Sequence, residues 1–176
     1  ILNPVYIDGT GRAFNAFQYG APPVILSQPP RFVTVLNGLS KVLSVVVQID
    51  LPVTYRWRFN GVNIPNATSP TYTIVNMDAS KEGFYDCIMT NELGTTRSNP
   101  ITVKGMYQLV VDSGVAKLPT DSSTGTVSGY FVSGATVAIY SDQPKEGTVF
   151  SEWIGATVFN PRNPSTSLLM PSRDSK

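Results

Sequence analysis

Histidine does not occur anywhere in this chain of 176 residues, and cysteine occurs once, at Cys87. Because histidine is missing, a Ser-His-Asp triad, a Cys-His pair and every histidine-ligated metal centre are excluded. A single cysteine also excludes an intrachain disulfide and a multi-cysteine metal site. We therefore predict that the protein is not an enzyme, and that it has no catalytic residues, no cofactor and no bound metal.

Charge is scarce as well. The chain has 13 Lys+Arg and 12 Asp+Glu, for a net charge of +1, and charged residues make up 14% of it. So small a net charge argues against a nucleic-acid-binding groove or a polybasic membrane patch. No apolar run approaches the roughly 20 residues that span a bilayer. We therefore expect neither nucleic acid as a partner nor insertion into a membrane.

The start of the chain does not identify a compartment. Residues 1–20 begin with Ile and lack the basic start, apolar middle and small-residue cleavage site of a signal peptide. We expect the chain either to have been processed or to be a piece of a longer protein. Residues 1–21 form a lead-in that either packs on its own domain as a strand or docks on a neighbouring domain or subunit. Its aromatic residues are Tyr6, Phe14, Phe17 and Tyr19.

Short β-branched and aromatic runs recur along the chain between turn signals, and no long stretch shows the 3.6-residue apolar period of a helix. This pattern predicts an all-β protein. Lys104-Gly105 marks the predicted boundary between two β modules, 22–104 and 105–176. The predicted strands are 32–36, 42–49, 54–59, 71–75, 83–90, 95–103, 107–112, 126–132, 136–141, 148–154 and 166–170.

The first module carries a set of spaced motifs. Leu43, Val45 and Val47 alternate along one predicted strand, which places them on one buried face. Asn60-Gly61, shortly after Trp57, is a strong hairpin signal because both turn positions need positive φ. Trp57, Asn60-Gly61 and the later run Glu82-Gly83-x-Tyr85-x-Cys87 resemble strand C, its following turn and strand F of an immunoglobulin-like domain, with Tyr85 at the tyrosine-corner position.

The resemblance covers residues 22–104 and implies an immunoglobulin-like β-sandwich. The run Ala67-Thr68-Ser69-x-Thr71-Tyr72-Thr73-Ile74 is most similar to the immunoglobulin-like repeats of bacterial and phage surface proteins. The module differs from antibody domains at Val45, which stands twelve residues before Trp57 where the partner cysteine is expected. We expect Val45, Trp57, Tyr85 and Cys87 to form one buried structural core, with Cys87 a free thiol. The alternative, a reactive or intermolecular thiol, has no flanking Lys, Arg or His to support it. A module without a disulfide can mature in a reducing cytoplasm.

The second module predicts short antiparallel strands around a small aromatic core of Tyr107, Phe150 and Trp153. The spacing of its Gly, Tyr, Phe and Trp residues and its closing Met170-Pro171 is similar to the divergent internalin-type B-repeat of bacterial cell-surface proteins, over about residues 105–171. That resemblance implies a spacer or adhesive module without catalytic residues. The strand that usually follows Met170-Pro171 is not evident, so we expect this edge to be covered either by a neighbouring subunit or by another part of a longer parent chain.

The twelve carboxylates are scattered, and Asp78, Glu82 and Asp86 form the densest group. We expect turn and capping roles for them, because a general acid needs burial that an exposed turn does not give. Calcium binding is the alternative, and it would need six or more oxygen ligands. We expect Arg56 and Arg58 to lie on a solvated strand face, with a recognition patch as the alternative. Lys41 is the one strand-edge candidate for an isopeptide crosslink, which requires a buried lysine.

These expectations combine into an all-β, non-enzymatic surface protein with an immunoglobulin-like β-sandwich and a second small antiparallel module. We predict a phage virion accessory subunit, associated with the tail or capsid, on the virion surface. Its expected partners are other subunits of a virion or surface array, with host cell-surface glycans as a further partner. The alternatives are a fragment of a bacterial cell-surface adhesin and a carbohydrate-binding module of a secreted hydrolase, for which exposed aromatic residues on one sheet face would be evidence.

Overall fold

The structure, a computed structural model, describes residues 5–7, 9–10, 13–15, 20–48, 51–112, 114–118, 128–143, 146, 149–154 and 158–173. These residues form β-strands, with a short 3₁₀ helix at Ala79–Lys81. The strands are β1 (Val5–Ile7), β2 (Ala13–Asn15), β3 (Val24–Ser27), β4 (Phe32–Leu36), β5 (Lys41–Ser44), β6 (Val46–Gln48), β7 (Thr54–Phe59), β8 (Val62–Asn63), β9 (Thr71–Ile74), β10 (Gly83–Asn91), β11 (Gly94–Arg97), β12 (Ile101–Val110), β13 (Gly114–Lys117), β14 (Ser128–Val132), β15 (Thr136–Ser141) and β16 (Ser165–Leu169).

The lead-in contains an antiparallel hairpin in which β1 pairs with β2, and Tyr6 lies opposite Phe14. Phe17 and Tyr19 lie outside the described residues. The lead-in joins the first module beside the β10–β11 turn, where the side-chain amide of Asn91 donates a 2.7 Å hydrogen bond to the carbonyl oxygen of Ala21.

The first core lies between two layers of strands. One layer is a seven-stranded sheet with the order β14-β12-β10-β7-β8, in which β4 also pairs with β12 and β11 with β10. The other layer consists of the pairs β3–β6 and β5–β9. Val45 interrupts the predicted strand 42–49 because its N–H bonds the carbonyl oxygen of Pro70, and β5 and β6 therefore pair with different partners. The buried members of this core are Val33, Val35, Leu43, Val45, Val47, Trp57, Ala67, Ile74, Met77, Tyr85, Cys87, Met89, Ile101 and Val103.

The hairpin signal at Asn60-Gly61 is confirmed. The two residues have φ values of 48° and 82°, and Phe59 pairs with Val62 across them. A two-residue turn with positive φ at both positions matches the twist of the strands that it joins, and glycine adopts that conformation without steric cost.

Strand β12 carries the chain from the first core into the second. Its residues alternate between buried and half-buried along all ten positions, and Ile101 and Val103 face the first core while Tyr107 and Leu109 face the second. The predicted boundary Lys104-Gly105 therefore lies inside a continuous strand.

The second core lies between the β12–β14 pair and a three-stranded sheet with the order β13-β15-β16. Its packing is mostly aliphatic. The buried members are Tyr107, Leu109, Val111, Ala116, Val137, Ile139, Leu168 and Met170. Phe150 is half-buried and does not belong to this set. Trp153 is also half-buried and packs against the edge of the second core. The expected aromatic centre is thus reduced to Tyr107, and the two other rings lie at the margin.

Other strand predictions were wrong as well. The run 95–103 is divided between β11 and β12, which both pair antiparallel with β10. Their register shifts by one residue across Ser98–Pro100, where Pro100 has no N–H to donate. Ser98 instead exchanges hydrogen bonds with Cys87: its hydroxyl accepts from the Cys87 N–H at 2.9 Å, and its N–H donates to the Cys87 carbonyl oxygen at 2.9 Å. Residues 149–154, from the predicted strand 148–154, form no strand, and Thr148 lies outside the described residues.

Candidate functional site

The predicted structural residues of the first module lie together. Val45, Trp57, Tyr85 and Cys87 are all buried in the first core, and Cys87 lies directly opposite Trp57 on the neighbouring strand. The indole N–H of Trp57 donates to the carbonyl oxygen of Ser69 at 3.0 Å, so its burial leaves no unsatisfied donor. The Tyr85 hydroxyl donates to the carbonyl oxygen of Lys81 at 2.9 Å, which is the contact of a tyrosine corner.

The Cys87 thiol is held in an unreactive form. Burial raises its pKa to about 11, and Asp86 nearby adds to the shift. A thiolate is the reactive species, and a thiol with so high a pKa stays protonated at neutral pH. Burial likewise raises the pKa of Tyr85 to about 12.

The three clustered carboxylates have three different structural roles. Asp78 caps the 3₁₀ helix, because its Oδ1 accepts from the Ser80 N–H at 2.9 Å, and it also pairs with Lys81. These hydrogen bonds, first from Lys81 and then from Ser80, lower the pKa of Asp78 to about 2. The capping prediction is confirmed for this residue.

Glu82 is less exposed than the sequence predicts. Its Oε2 accepts from the Lys104 ammonium and its Oε1 from the Gly105 N–H, both at 3.1 Å. The pairing of β10 with β12 ends at Val103, and the pairing of β14 with β12 begins at Met106. Glu82 therefore fills the gap between the two partners of β12 and holds the junction of the two cores.

Asp86 is buried and lies on the outer face of the large sheet. Its oxygens accept two hydrogen bonds from Arg58, at 2.7 and 3.0 Å, and two from Arg97, at 3.0 and 2.5 Å. The hydrogen bond from Arg58 to Asp86 raises the pKa of the Arg58 guanidinium. The expectation of a solvated Arg58 was wrong, since its side chain is only 17% exposed.

Two other candidate chemistries find no support among the residues that the structure describes. Lys41 is exposed on β5, so it lacks the burial that an isopeptide crosslink requires. Within the described ranges, no group of three or more Asp, Glu or Cys side chains is arranged to hold a metal ion. No helix in that same part of the chain has the length and apolar character needed to cross a membrane.

The outer face of the large sheet carries exposed aromatic side chains that the sequence analysis did not single out. Phe84 and Phe32 flank Thr102 on either side, and Tyr130 lies opposite Gln108 farther along the same strand. Residues paired in register share a face, and positions 102 and 108 face the same way. Phe32, Phe84 and Tyr130 are 55%, 59% and 52% exposed. Only the strand register brings them together.

A groove opens on the side of the sandwich, between the edge strands β8 and β9. It has a volume of about 410 Å³, and its walls include Phe59, Tyr72 and Tyr85. The rings of Phe59 and Tyr85 lie 4.8 Å apart and those of Tyr72 and Tyr85 lie 6.0 Å apart, measured between centroids. This aromatic stack closes the side of the first core.

Comparison with known proteins supports the fold. No protein-family model matches the chain. Protein sidekick-2 of the mouse, Mus musculus, is 26% identical over 91 residues, which are 51% of this chain and 4% of the length of that protein. The structure of Sidekick-1 immunoglobulin domains 1–5 matches 84% of this chain and 31% of that chain, with a TM-score of 0.50 and 16% identity. The N-terminal four immunoglobulin domains of Dscam1 isoform 4.44 match 48% of this chain and 21% of that chain, with a TM-score of 0.43 and 22% identity.

This chain is an all-β, immunoglobulin-like sandwich protein. The strand layers, the buried Trp57 and the tyrosine corner agree with the Sidekick-1 match. The portion of the chain covered by that match is larger than residues 22–104, so the likeness extends beyond the first core.

Proposed function

We propose that this protein is a non-enzymatic adhesive module, displayed on the surface of a phage particle as a tail- or capsid-associated accessory subunit. The observation that carries the proposal is that clustered carboxylates are used in ion pairs, while large apolar side chains are exposed. The carboxylates of Glu82 and Asp86 form ion pairs with neighbouring Lys and Arg side chains, whereas large apolar side chains such as Phe32 and Phe84 remain exposed on a sheet face. Such a surface suits binding rather than catalysis.

The domain organisation belongs to the same proposal. Residues 22–104 form the immunoglobulin-like module, residues 105–176 a B-repeat-like module, and residues 1–21 a segment that docks on another subunit. The continuous strand β12 and the Glu82 contacts join the two modules rigidly. A rigid pair of modules projects a binding face at a fixed distance from its point of attachment, which suits an accessory subunit of a particle.

The resemblance of residues 22–104 to phage and bacterial surface domains supports the virion location. The free Cys87 supports it too, with Val45 standing where a partner cysteine is expected, since a module without a disulfide can fold in the reducing cytoplasm where phage particles assemble. A fragment of a bacterial cell-surface adhesin is the nearest alternative, because the same resemblance covers those proteins.

An image of the native assembly tests this proposal. Antibody fragments raised against residues 22–104 would be added to purified phage particles from the source culture and to the host cells, and both would be examined by electron microscopy. We expect label at symmetry-related positions on the particles. Label confined to the cell envelope would overturn the virion location in favour of the adhesin.

A carbohydrate-binding module is a second candidate, and the exposed Phe32, Phe84 and Tyr130 on one sheet face favour it. Aromatic rings on a flat face offer apolar area on which sugar rings stack. Affinity electrophoresis through gels that contain neutral polysaccharides tests it. Retardation that Phe84→Ala abolishes and Leu39→Ala leaves intact would support this candidate, and equal mobility with and without polysaccharide would exclude it.

A further inference from the structure

Two rows of side chains lie next to each other on the outer face of β7, β10 and β11. In one row, Arg56, Ile88 and Arg97 lie opposite one another on the three strands, with the isoleucine on the middle strand. In the adjacent row the same strands carry three threonines, Thr54, Thr90 and Thr95. Neighbouring strands lie about 4.8 Å apart, so the backbones of the two arginines are about 10 Å apart.

The charges in this region do not balance. Asp86 is the carboxylate that contacts arginines here, and it already accepts four hydrogen bonds: Oδ1 accepts one from Arg58, and Oδ2 accepts one from Arg58 and two from Arg97. Arg56 makes no ion pair with any described residue. Arg58 and Arg97 pair with the one carboxylate of Asp86 and Arg56 does not, so this part of the face keeps an excess of positive charge. Its complement is a negatively charged group.

The threonine row supplies neutral hydrogen-bonding groups beside this charge. The Thr54 hydroxyl donates to the Thr90 carbonyl oxygen at 3.2 Å, and the hydroxyls of Thr90 and Thr95 lie 2.9 Å apart. The Thr54 oxygen keeps its two acceptor lone pairs, and the Thr90–Thr95 pair uses one of its two protons. The row therefore offers both acceptors and a donor to an outside ligand.

A cavity connects the two rows. It has a volume of about 330 Å³, and Thr54, Arg56, Thr68, Ile88 and Thr90 contribute to its lining. Cavities of about 300 Å³ and more are the size of small-molecule sites. Val53 and Tyr55 complete the lining, so the wall combines one arginine, three threonines, two aliphatic residues and one tyrosine.

We propose that this cavity binds a carboxylated sugar residue of a surface glycan. The planar guanidinium of Arg56 matches a carboxylate through two parallel hydrogen bonds. The threonine hydroxyls match sugar hydroxyls, and Ile88 packs against the apolar face of the ring. An acidic peptide would use the arginines but leave the hydroxyl row without matched partners. The site gives the proposed adhesive function a ligand class, and it rests on that function.

Binding would be measured by isothermal titration with the full chain and five probes. These are oligogalacturonate, sialyllactose, carboxyl-reduced oligogalacturonate, dextran sulfate and poly-glutamate. We expect binding of oligogalacturonate or sialyllactose and none of the reduced oligosaccharide. Arg56→Ala should weaken binding at least about tenfold, because a charge-assisted bidentate contact is lost. Arg56→Lys should retain part of the affinity, and Thr54→Val should lose several-fold.

Arg31→Ala is the matched control, since Arg31 is exposed on another strand edge and makes no ion pair with the described residues. Thermal unfolding of every variant would show that the fold is kept.

Equal affinity of wild type and Arg56→Ala, or no binding of either carboxylated glycan at millimolar concentration, would overturn the proposal. Binding of dextran sulfate or poly-glutamate as tightly as the glycans would overturn it in favour of sulfated glycans or acidic peptides. The particle-labelling experiment does not depend on this site. If the labelling fails, the virion location is contradicted, but the glycan site is not.

Discussion

The Nε of Arg58 donates a 2.7 Å hydrogen bond to Oδ1 of Asp86, on the outer face of a sheet where both groups are largely withdrawn from water. The Asp86 side chain is 5% exposed, and Arg97, which completes the cluster, is 56% exposed. The two arginines therefore contribute to stability through the same carboxylate but in different surroundings.

We predict that Arg58→Ala destabilises the protein by about 3–5 kcal/mol, because it removes the principal partner of a buried charge. Arg97→Ala should cost less than about 1 kcal/mol, since its guanidinium is mostly solvated. Urea unfolding followed by Trp fluorescence measures both. Equal losses of unfolding free energy in the two variants would contradict the argument that the more buried arginine contributes more to stability.

Cys87 should be inaccessible to thiol reagents in the folded protein. Burial raises its pKa to about 11, so the thiol stays protonated at pH 8. Titration with Ellman's reagent at pH 8 should detect no thiol before denaturation and one thiol per chain in guanidinium chloride. A reducing agent should leave the melting temperature unchanged, and a clear drop would show that Cys87 is bridged to another chain.

Trp57→Ala should cost about 3–5 kcal/mol, because it leaves a large cavity at the centre of the first core. Its indole is fully buried and bonded to Ser69. The half-buried Trp153 provides the control: Trp153→Ala should cost less, since that ring lies at the margin of the second core. Denaturant midpoints followed by circular dichroism measure the two losses, and the reverse order would contradict the burial argument.

The shared strand predicts that both cores unfold together. A Cβ on Gly105 would lie 2.5 Å from the Tyr107 ring, which packs over this position at the junction. Gly105→Ala should therefore cost about 1–3 kcal/mol through overpacking. In a Trp153→Phe background, Trp57 fluorescence follows the first core, and amide exchange in β15 follows the second. Both signals should shift to the same lower midpoint in the alanine variant, whereas two separate transitions would show that β12 does not couple the cores.

The stabilising contribution of the Asp78 charge should disappear in acid. The pKa of Asp78 is about 2 in the folded protein, below its ordinary value of 3.8. A carboxyl group whose pKa is lower in the folded state stabilises the folded protein at pH values above its unfolded pKa. This contribution is lost as the pH falls through the folded pKa. The melting temperature of wild type should exceed that of Asp78→Asn at pH 6, and the difference should vanish between about pH 4 and pH 2. A difference that persists at pH 2 would contradict the assignment.

Several parts of this fold could be predicted from local sequence. Asn60-Gly61 specifies its turn because only a few residues adopt positive φ, and β4, β7 and β15 match the predicted strands 32–36, 54–59 and 136–141. The alternation of Leu43, Val45 and Val47 correctly indicated a buried face. Strand 148–154 was predicted wrongly, since its apolar residues Val149 and Ile154 are largely exposed and no partner strand pairs with them among the described residues.

The sequence by itself determined the absence of histidine and disulfide chemistry, the β-rich pattern, and the motifs around Trp57 and Tyr85, because these depend on residue type and short spacing. Only the tertiary structure decided that Arg97 reaches Asp86, that Phe32 and Phe84 share a face with Tyr130, and that β12 belongs to both cores. Each of these depends on the register between strands distant in sequence. Register is set by the fit of the whole buried face rather than by any local run of residues.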